Sequence, residues 1–208
     1  MRHIVIDLAS SALPDAEAYL EGTVRAPGNY KDADKISAYI AEKQAERLSE
    51  AALDVDLARI TALGFALDAK AIDVRVCRQE SDERLLIADL ADLVSNATII
   101  TFGGFNFDLP LVMRRAQYLG MKFPKLNLDR YKSPHIDLCE LLSDRNPQRR
   151  RSLGFYAKRM GWTDLTKILS GAEEAQVPTS NRWDDLEASI RHDITATYRL
   201  AKWCNVIP

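Results

Sequence analysis

The period of the hydrophobic positions changes several times along this chain. His3-Ile4-Val5-Ile6-Asp7-Leu8 is a short, β-rich apolar run, the pattern of a strand buried on both faces. Residues 10–30 are polar and broken by Pro14, Pro27 and Gly28, which predicts a loop with room for one short helix. Residues 31–52 are rich in Ala, Glu and Lys, with Ile36, Tyr39, Ile40 and Leu48 at helical spacing. Arg59–Leu67 and Ala71–Cys77 read as two strands, and the Asp68-Ala69-Lys70 link is short enough for a hairpin. A helical rhythm follows over 82–95. The apolar strand Ala97–Phe102 comes next, then a break at Gly103-Gly104. Residues 108–120 form a helix with Pro110 in its first turn and Gly120 at its end. A short strand at 135–138 runs into a helix, 152–162 is helical, and 184–204 is a long final helix. Residues 163–181 keep no period and carry turn signals late in the stretch.

This order predicts an α/β fold: a mixed sheet in which an antiparallel meander joins parallel strands, flanked by helices. It fits one domain over residues 1–208, with a helical insertion at about 10–56. No apolar run approaches the roughly 20 residues of a membrane span, and the N-terminus lacks a signal-peptide pattern. Cys77, Cys139 and Cys204 are far apart with no CxxC pair, which argues against structural zinc or a disulfide framework and favours the cytoplasm. With 28 Lys+Arg against 30 Asp+Glu, the net charge of −2 gives no hint of a polyanionic partner. Its distribution does: residues 1–100 carry a net −7 and residues 101–208 a net +5.

Three aspartates stand where folding alone prefers apolar residues. Asp7 ends a buried strand, where an ionised carboxylate is costly unless paired or bound to a cation; a strand-end cap is the alternative. Asp108 lies just beyond the strand 97–102, at the sheet edge where ligands bind in α/β proteins, and it is equally a good helix N-cap. Asp193 completes the apolar stripe Leu186, Ile190, Thr197, Leu200 and Cys204 of the last helix, on or beside its core face. If the three converge, they suit a hard divalent cation, Mg²⁺ or Mn²⁺.

The segments VIDLAS (5–10), TFGGFNFDLP (101–110), HIDL (135–138), SLGFYAKRMG (152–161) and SIRHDITATYRL (189–200) occur in an order that resembles the DnaQ-like (DEDD) 3′–5′ exonucleases of ribonuclease H-like fold. The nearest group is the exonuclease related to the proofreading domain of B-family DNA polymerases. The resemblance implies a ribonuclease H-like mixed sheet and two-metal phosphodiester hydrolysis at nucleic-acid 3′ ends, on single strands. It also implies that Asp7, Asp108 and Asp193 are both the catalytic and the metal-binding residues.

Departures from that pattern matter as much. Ala9 replaces the Glu of Asp-x-Glu, Ser189 replaces the Tyr four residues before the last Asp, and Gly103 stands where the group often has Asn. Ala188 occupies the place of the His used by the other subgroup. His192, Ser10 and Asp15 are weak substitutes, and Asp137 reads as a cap on the following helix. These losses imply a weakened site holding one or two ions and impaired cleavage. The alternative is a catalytically inactive homologue that binds nucleic acid or a protein partner. In either case Arg149, Arg150 and Arg151 are candidate phosphate contacts, with an exposed loop as the competing reading. Phe105-Asn106-Phe107 is a candidate contact to a terminal base, with packing beneath the helix as its competitor.

Overall fold

The structure, a computed structural model, describes residues 2–68, 71–145, 147–165 and 167–208. Among these, β1 (Arg2–Ala12) is the central strand of one five-stranded sheet. On one side it pairs antiparallel with β2 (Ala58–Leu67), which pairs antiparallel with β3 (Asp73–Val76). On the other side it pairs parallel with β4 (Ala97–Thr101), itself parallel to β5 (Ile136–Asp137). The order is therefore β3-β2-β1-β4-β5, the expected meander joined to parallel strands. Between β1 and β2 come α1 (Ala16–Leu20) and α2 (Ala33–Ser49); α3 (Glu80–Val94) precedes β4, and α4 (Asp108–Tyr118) follows it. After β5 come α5 (Leu138–Leu142), α6 (Leu153–Arg159), α7 (Gly171–Ala175), α8 (Val177–Ser180) and the long α9 (Trp183–Trp203).

The alternation of β1 divides the core. Ile4, Ile6 and Leu8 face one cluster, with Leu86, Ile87 and Leu90 of α3 and Leu111 and Val112 of α4. Val5 and Ala9 face a second, with Leu186, Ile190, Ile194 and Leu200 of α9. Asp7 has the parity of Val5 and Ala9, so it points to the α9 side. A small separate cluster of Ala16, Leu20, Ala51 and Leu57 gathers the helices inserted between β1 and β2, and α2 buries none of its own residues. No helix among the described residues is long and apolar enough to cross a membrane.

Two segments differ from the sequence expectation. β1 does not stop at Leu8 but continues to Ala12. Ala9-Ser10-Ser11-Ala12 has little strand preference of its own, but β2 supplies a partner ladder out to Ala12↔Ala58, with a register shift between Ala9 and Ser10. The aperiodic stretch 163–181 holds α7 and α8, each too short to show a hydrophobic period. In the β2–β3 link, Ala69 and Lys70 lie outside the described residues.

Gly64 sets how closely α9 approaches the sheet. It pairs with Asp7 across β1 and β2. A Cβ there would stand 2.4 Å from Ile190 Cγ2 and 2.9 Å from Ile194 Cγ1, both on fully buried side chains of α9. Gly64→Ala is therefore expected to cost about 1–3 kcal/mol through overpacking. It should also push Asp193 away from Asp7. Urea unfolding measures the first effect, and an unchanged midpoint would show that α9 yields freely.

Candidate active site

The sheet brings Asp7 and the turn leading to Asp108 to one edge. β1 and β4 run parallel, so Asp7 and the chain leaving β4 at Thr101 emerge at the same end. Gly103 and Gly104 turn the chain there: Gly103 has a φ of +84°, and a Cβ on Gly104 would lie 2.8 Å from Thr101 side-chain carbons and 2.9 Å from Asp108 Oδ2. Only glycine lets the backbone pass this close to the carboxylate. Asp137 at the end of β5 fastens the turn. Its Oδ1 accepts from Gly103 N at 2.8 Å, its Oδ2 from Phe105 N at 3.0 Å, and Oδ1 also caps α5 through Cys139 N at 2.9 Å. The capping reading of Asp137 thus holds, and the same carboxylate shapes the loop that presents Asp108.

Asp108 is not a cap. It is the first residue of α4, and Phe107 occupies the cap position without a side-chain hydrogen bond. Asp193 is buried on α9, whose packing across Gly64 places it beside β1. Asp7 and Asp108 are partly buried, and neither accepts a hydrogen bond or forms an ion pair with any described residue. Burial holds Asp7 well above the usual carboxylate range, and repulsion from Asp108, Asp193 and a fourth group, Glu174, adds to it. Asp108 is pushed up from 3.8 to about 7 by burial, with repulsion from Asp137 and Glu174. Asp7 thus feels Asp108, Asp193 and Glu174, and Asp108 feels Asp137 and Glu174.

Glu174 lies on α7, in the stretch without a readable period. Its Oε1 accepts from Ser189 Oγ at 2.8 Å. Burial raises its pKa, with Asp193 and Glu173 adding to that; Lys167 and the Ser189 hydrogen bond oppose it. The Lys167 ammonium lies 3.6 Å from Asp193 Oδ2 and 3.8 Å from Glu174 Oε1. Burial lowers the pKa of Lys167, but Asp193, Glu174 and Asp7 outweigh that and raise it. The one sequence signal near Glu174 is Ser170-x-x-Glu173, a capping box that the structure forms at the start of α7. It marks a helix start but not the direction of the next residue.

The other candidates divide. Phe105 and Phe107 pack, partly buried, against the core under α3 and α4, while Asn106 is exposed. Arg150 pairs with Glu140, Arg151 lies 4.9 Å over the Phe155 ring, and Arg149 is exposed. His192, a weak substitute by its place on the helix, has its Nδ1 2.8 Å from Asp193 Oδ1. Helix spacing governs where Cβ points, and a long side chain can still fold back.

The chemistry of the site suits a divalent cation. Its donors are hard carboxylate oxygens, and the side chains of Asp7 and Asp108 have no hydrogen bond or ion pair among the described residues. Among the described residues no three His, Cys, Asp or Glu side chains are gathered closely enough to hold an ion as they stand, and Lys167 is the cation nearest Asp193 and Glu174.

Residues 51–206 match a family model described as a predicted 3′-5′ exonuclease related to the exonuclease domain of PolB. The chain belongs to that family. The match takes in Asp108 and Asp193 but begins after Asp7, whose place in the site rests on β1. Among solved structures, the chain is similar to the family B DNA polymerase from the hyperthermophilic archaeon Pyrobaculum calidifontis, with a TM-score of 0.65 at 15% identity. That likeness covers 99% of this chain but 24% of the polymerase and establishes the fold, a PolB-exonuclease, ribonuclease H-like mixed sheet. No curated protein matches the chain.

The raised carboxylates of this exonuclease-family site have a measurable consequence without any metal. Folded Asp108 keeps its proton up to about pH 7, whereas in the unfolded chain it releases it near 3.8. Across that window the native state binds more protons, so metal-free stability falls as pH rises, and the loss is complete above the folded value. Asp108→Asn removes the group. We expect the metal-free variant to match the wild type at about pH 4 and to be the more stable of the two at about pH 8. Thermal unfolding of both across this range checks it; parallel curves would mean that Asp108 is an ordinary carboxylate.

Proposed function

We propose that this chain is a metal-dependent 3′–5′ exonuclease that removes nucleotides from single-stranded nucleic-acid ends. What supports the reading is membership of the exonuclease family, together with Asp108 and Asp193 both adding to the repulsion on Asp7 at the carboxyl edge of the sheet. These residues would hold Mg²⁺ or Mn²⁺, one or two ions. Such ions supply activation of a water for attack and neutralise charge on the scissile phosphate. Asp7 and Asp108 provide oxygens without a hydrogen bond or ion pair among the described residues, and Asp193 is oriented by His192. Asp137 keeps Asp108 in place by fixing the Gly103–Phe105 turn. Arg149–Arg151 are proposed to meet the phosphate backbone, and exposed Asn106 the terminal nucleotide.

A second reading is an inactive homologue that binds strand ends or a protein partner. The observation favouring it is Lys167, a built-in ammonium where a catalytic cation would help neutralise Asp193 and Glu174. Its side chain is half exposed, so it is free to swing out. The deciding assay uses a 5′-labelled single strand with Mg²⁺, Mn²⁺ or chelator. Stepwise shortening that requires the metal supports the enzyme; an intact strand with either metal favours the second reading.

A further inference from the structure

A cavity of about 340 Å³ lies at the end of β5, within the roughly 300–1,000 Å³ of small-molecule sites. Phe105 and Asp137 line it, so it shares a wall with the turn that leads to Asp108. Its mouth is built rather than incidental. Arg145 Nε donates to Arg130 O at 3.0 Å, Arg130 Nη1 donates to Arg145 O at 3.3 Å, and the Arg145 guanidinium lies 5.1 Å over the Tyr131 ring. This clasp holds Tyr131 with 70% of its surface in water. An aromatic ring kept outside the core by ordered neighbours is a platform on which a planar ligand can stack. Two polar side chains of the lining have hydrogen-bonding capacity to spare. Glu140 is 8% exposed; Arg130 and Arg150 both reach its Oε1, and its Oε2 is buried without a hydrogen-bond partner among the described residues. His135 Nδ1 accepts from Ile99 N at 3.2 Å, so the ring proton sits on Nε2 and makes that atom a donor. Burial lowers the pKa of His135, which favours this neutral form. The cavity therefore offers an acceptor, a donor and an aromatic face.

We propose that this cavity binds a nucleobase bearing an exocyclic amino group beside a ring-nitrogen acceptor, adenine or cytosine, through Glu140, His135 and Tyr131. The amino group donates to Glu140 Oε2, the ring nitrogen accepts from His135 Nε2, and the base stacks on Tyr131. An unpaired buried carboxylate oxygen is costly, and a ligand N–H removes that cost. Thymine sets a carbonyl oxygen where the amino group belongs and leaves two acceptors facing each other. As a subsite for a strand whose end lies at Asp108, the cavity rests on the exonuclease reading above. Base binding itself needs neither metal nor cleavage.

The test is a titration of the full chain, in chelator, with the 5′-monophosphates of deoxyadenosine, deoxycytidine and thymidine, followed by nuclear magnetic resonance. The first two are expected to bind roughly 10-fold more tightly than the third, the scale of leaving a buried polar group unpaired. Tyr131→Ala is expected to weaken their binding by at least about 5-fold, the lower end for losing one stacked base. Glu140→Gln keeps an oxygen for the arginines and turns an amide NH2 toward the base, so it should shift the preference to thymidine monophosphate. Near-ultraviolet circular dichroism checks its fold, and exposed Tyr131→Ala decides the matter if Glu140→Gln does not fold. Equal binding of the three nucleotides, binding unaltered in Tyr131→Ala, or no binding at all would overturn the proposal. Base-selective binding by a chain that leaves a strand intact with either metal would overturn the exonuclease reading and keep the pocket. Metal-dependent shortening without base-selective binding would do the reverse.

Discussion

Asp108→Ala is expected to lower metal-dependent shortening of a 3′ end by roughly 10³-fold. A divalent cation at such a site supplies several kcal/mol of transition-state stabilisation, and each ~1.4 kcal/mol is a factor of ten in rate. Asp108 is well suited to report this. It has no hydrogen bond or ion pair to a described residue, so its removal breaks no protein contact of that kind. It also adds to the repulsion on Asp7, so its loss relieves the metal-free fold. The variant should therefore be inactive yet no less stable than the wild type above about pH 7. Cleavage that survives the substitution would place the chemistry elsewhere; inactivity with unfolding would leave Asp108 a structural residue.

Glu83→Ala is expected to cost about 3–5 kcal/mol, a large part of the stability of a typical domain. Glu83 on α3 receives Arg115 Nε and Nη2 of α4, each at 2.8 Å, and also Ile60 N of β2 at 2.9 Å. Both side chains are almost fully buried, at 2% and 6% exposure. Removing the acid leaves a guanidinium and a backbone N–H without partners in a dry layer between two helices and the sheet. Glu83→Gln keeps one acceptor oxygen, for Ile60 N and Arg115 Nε, but sets an amide NH2 against Arg115 Nη2 and loses the charge, and should cost less than Glu83→Ala. The denaturant midpoint and slope of the two variants measure this, and a loss under about 1 kcal/mol for Glu83→Ala would mean that water reaches the pair.

These two residues mark the limits of sequence reading here. Asp108 was visible because a carboxylate beyond an apolar strand is chemically out of place. The ion pair that fastens α3 to α4 was not, because each partner sits in a helix where charge is ordinary and nothing local says which face is buried. The strands, the long helices and the mixed sheet could be read from periods that span several turns or residue pairs. The extension of β1 through Ala12 could not, because its four small residues owe their conformation to β2. The contact between His192 and Asp193 could not be read either, because helix geometry fixes the start of a side chain and not its end.

The sequence by itself determined the mixed α/β sheet and singled out three aspartates as chemically out of place, because apolar spacing and misplaced charge are local properties that survive without coordinates; the exonuclease family came from the resemblance of its motifs. Only the tertiary structure decided that Lys167 lies beside both Asp193 and Glu174. Glu174 lies in a short helix without a period, and Lys167 is an exposed-looking lysine in the same stretch. Their approach to Asp193 depends on α7 packing against β1 and on α9 lying close over Gly64. Such proximity is a property of packed layers, and chain order does not encode it in any short pattern.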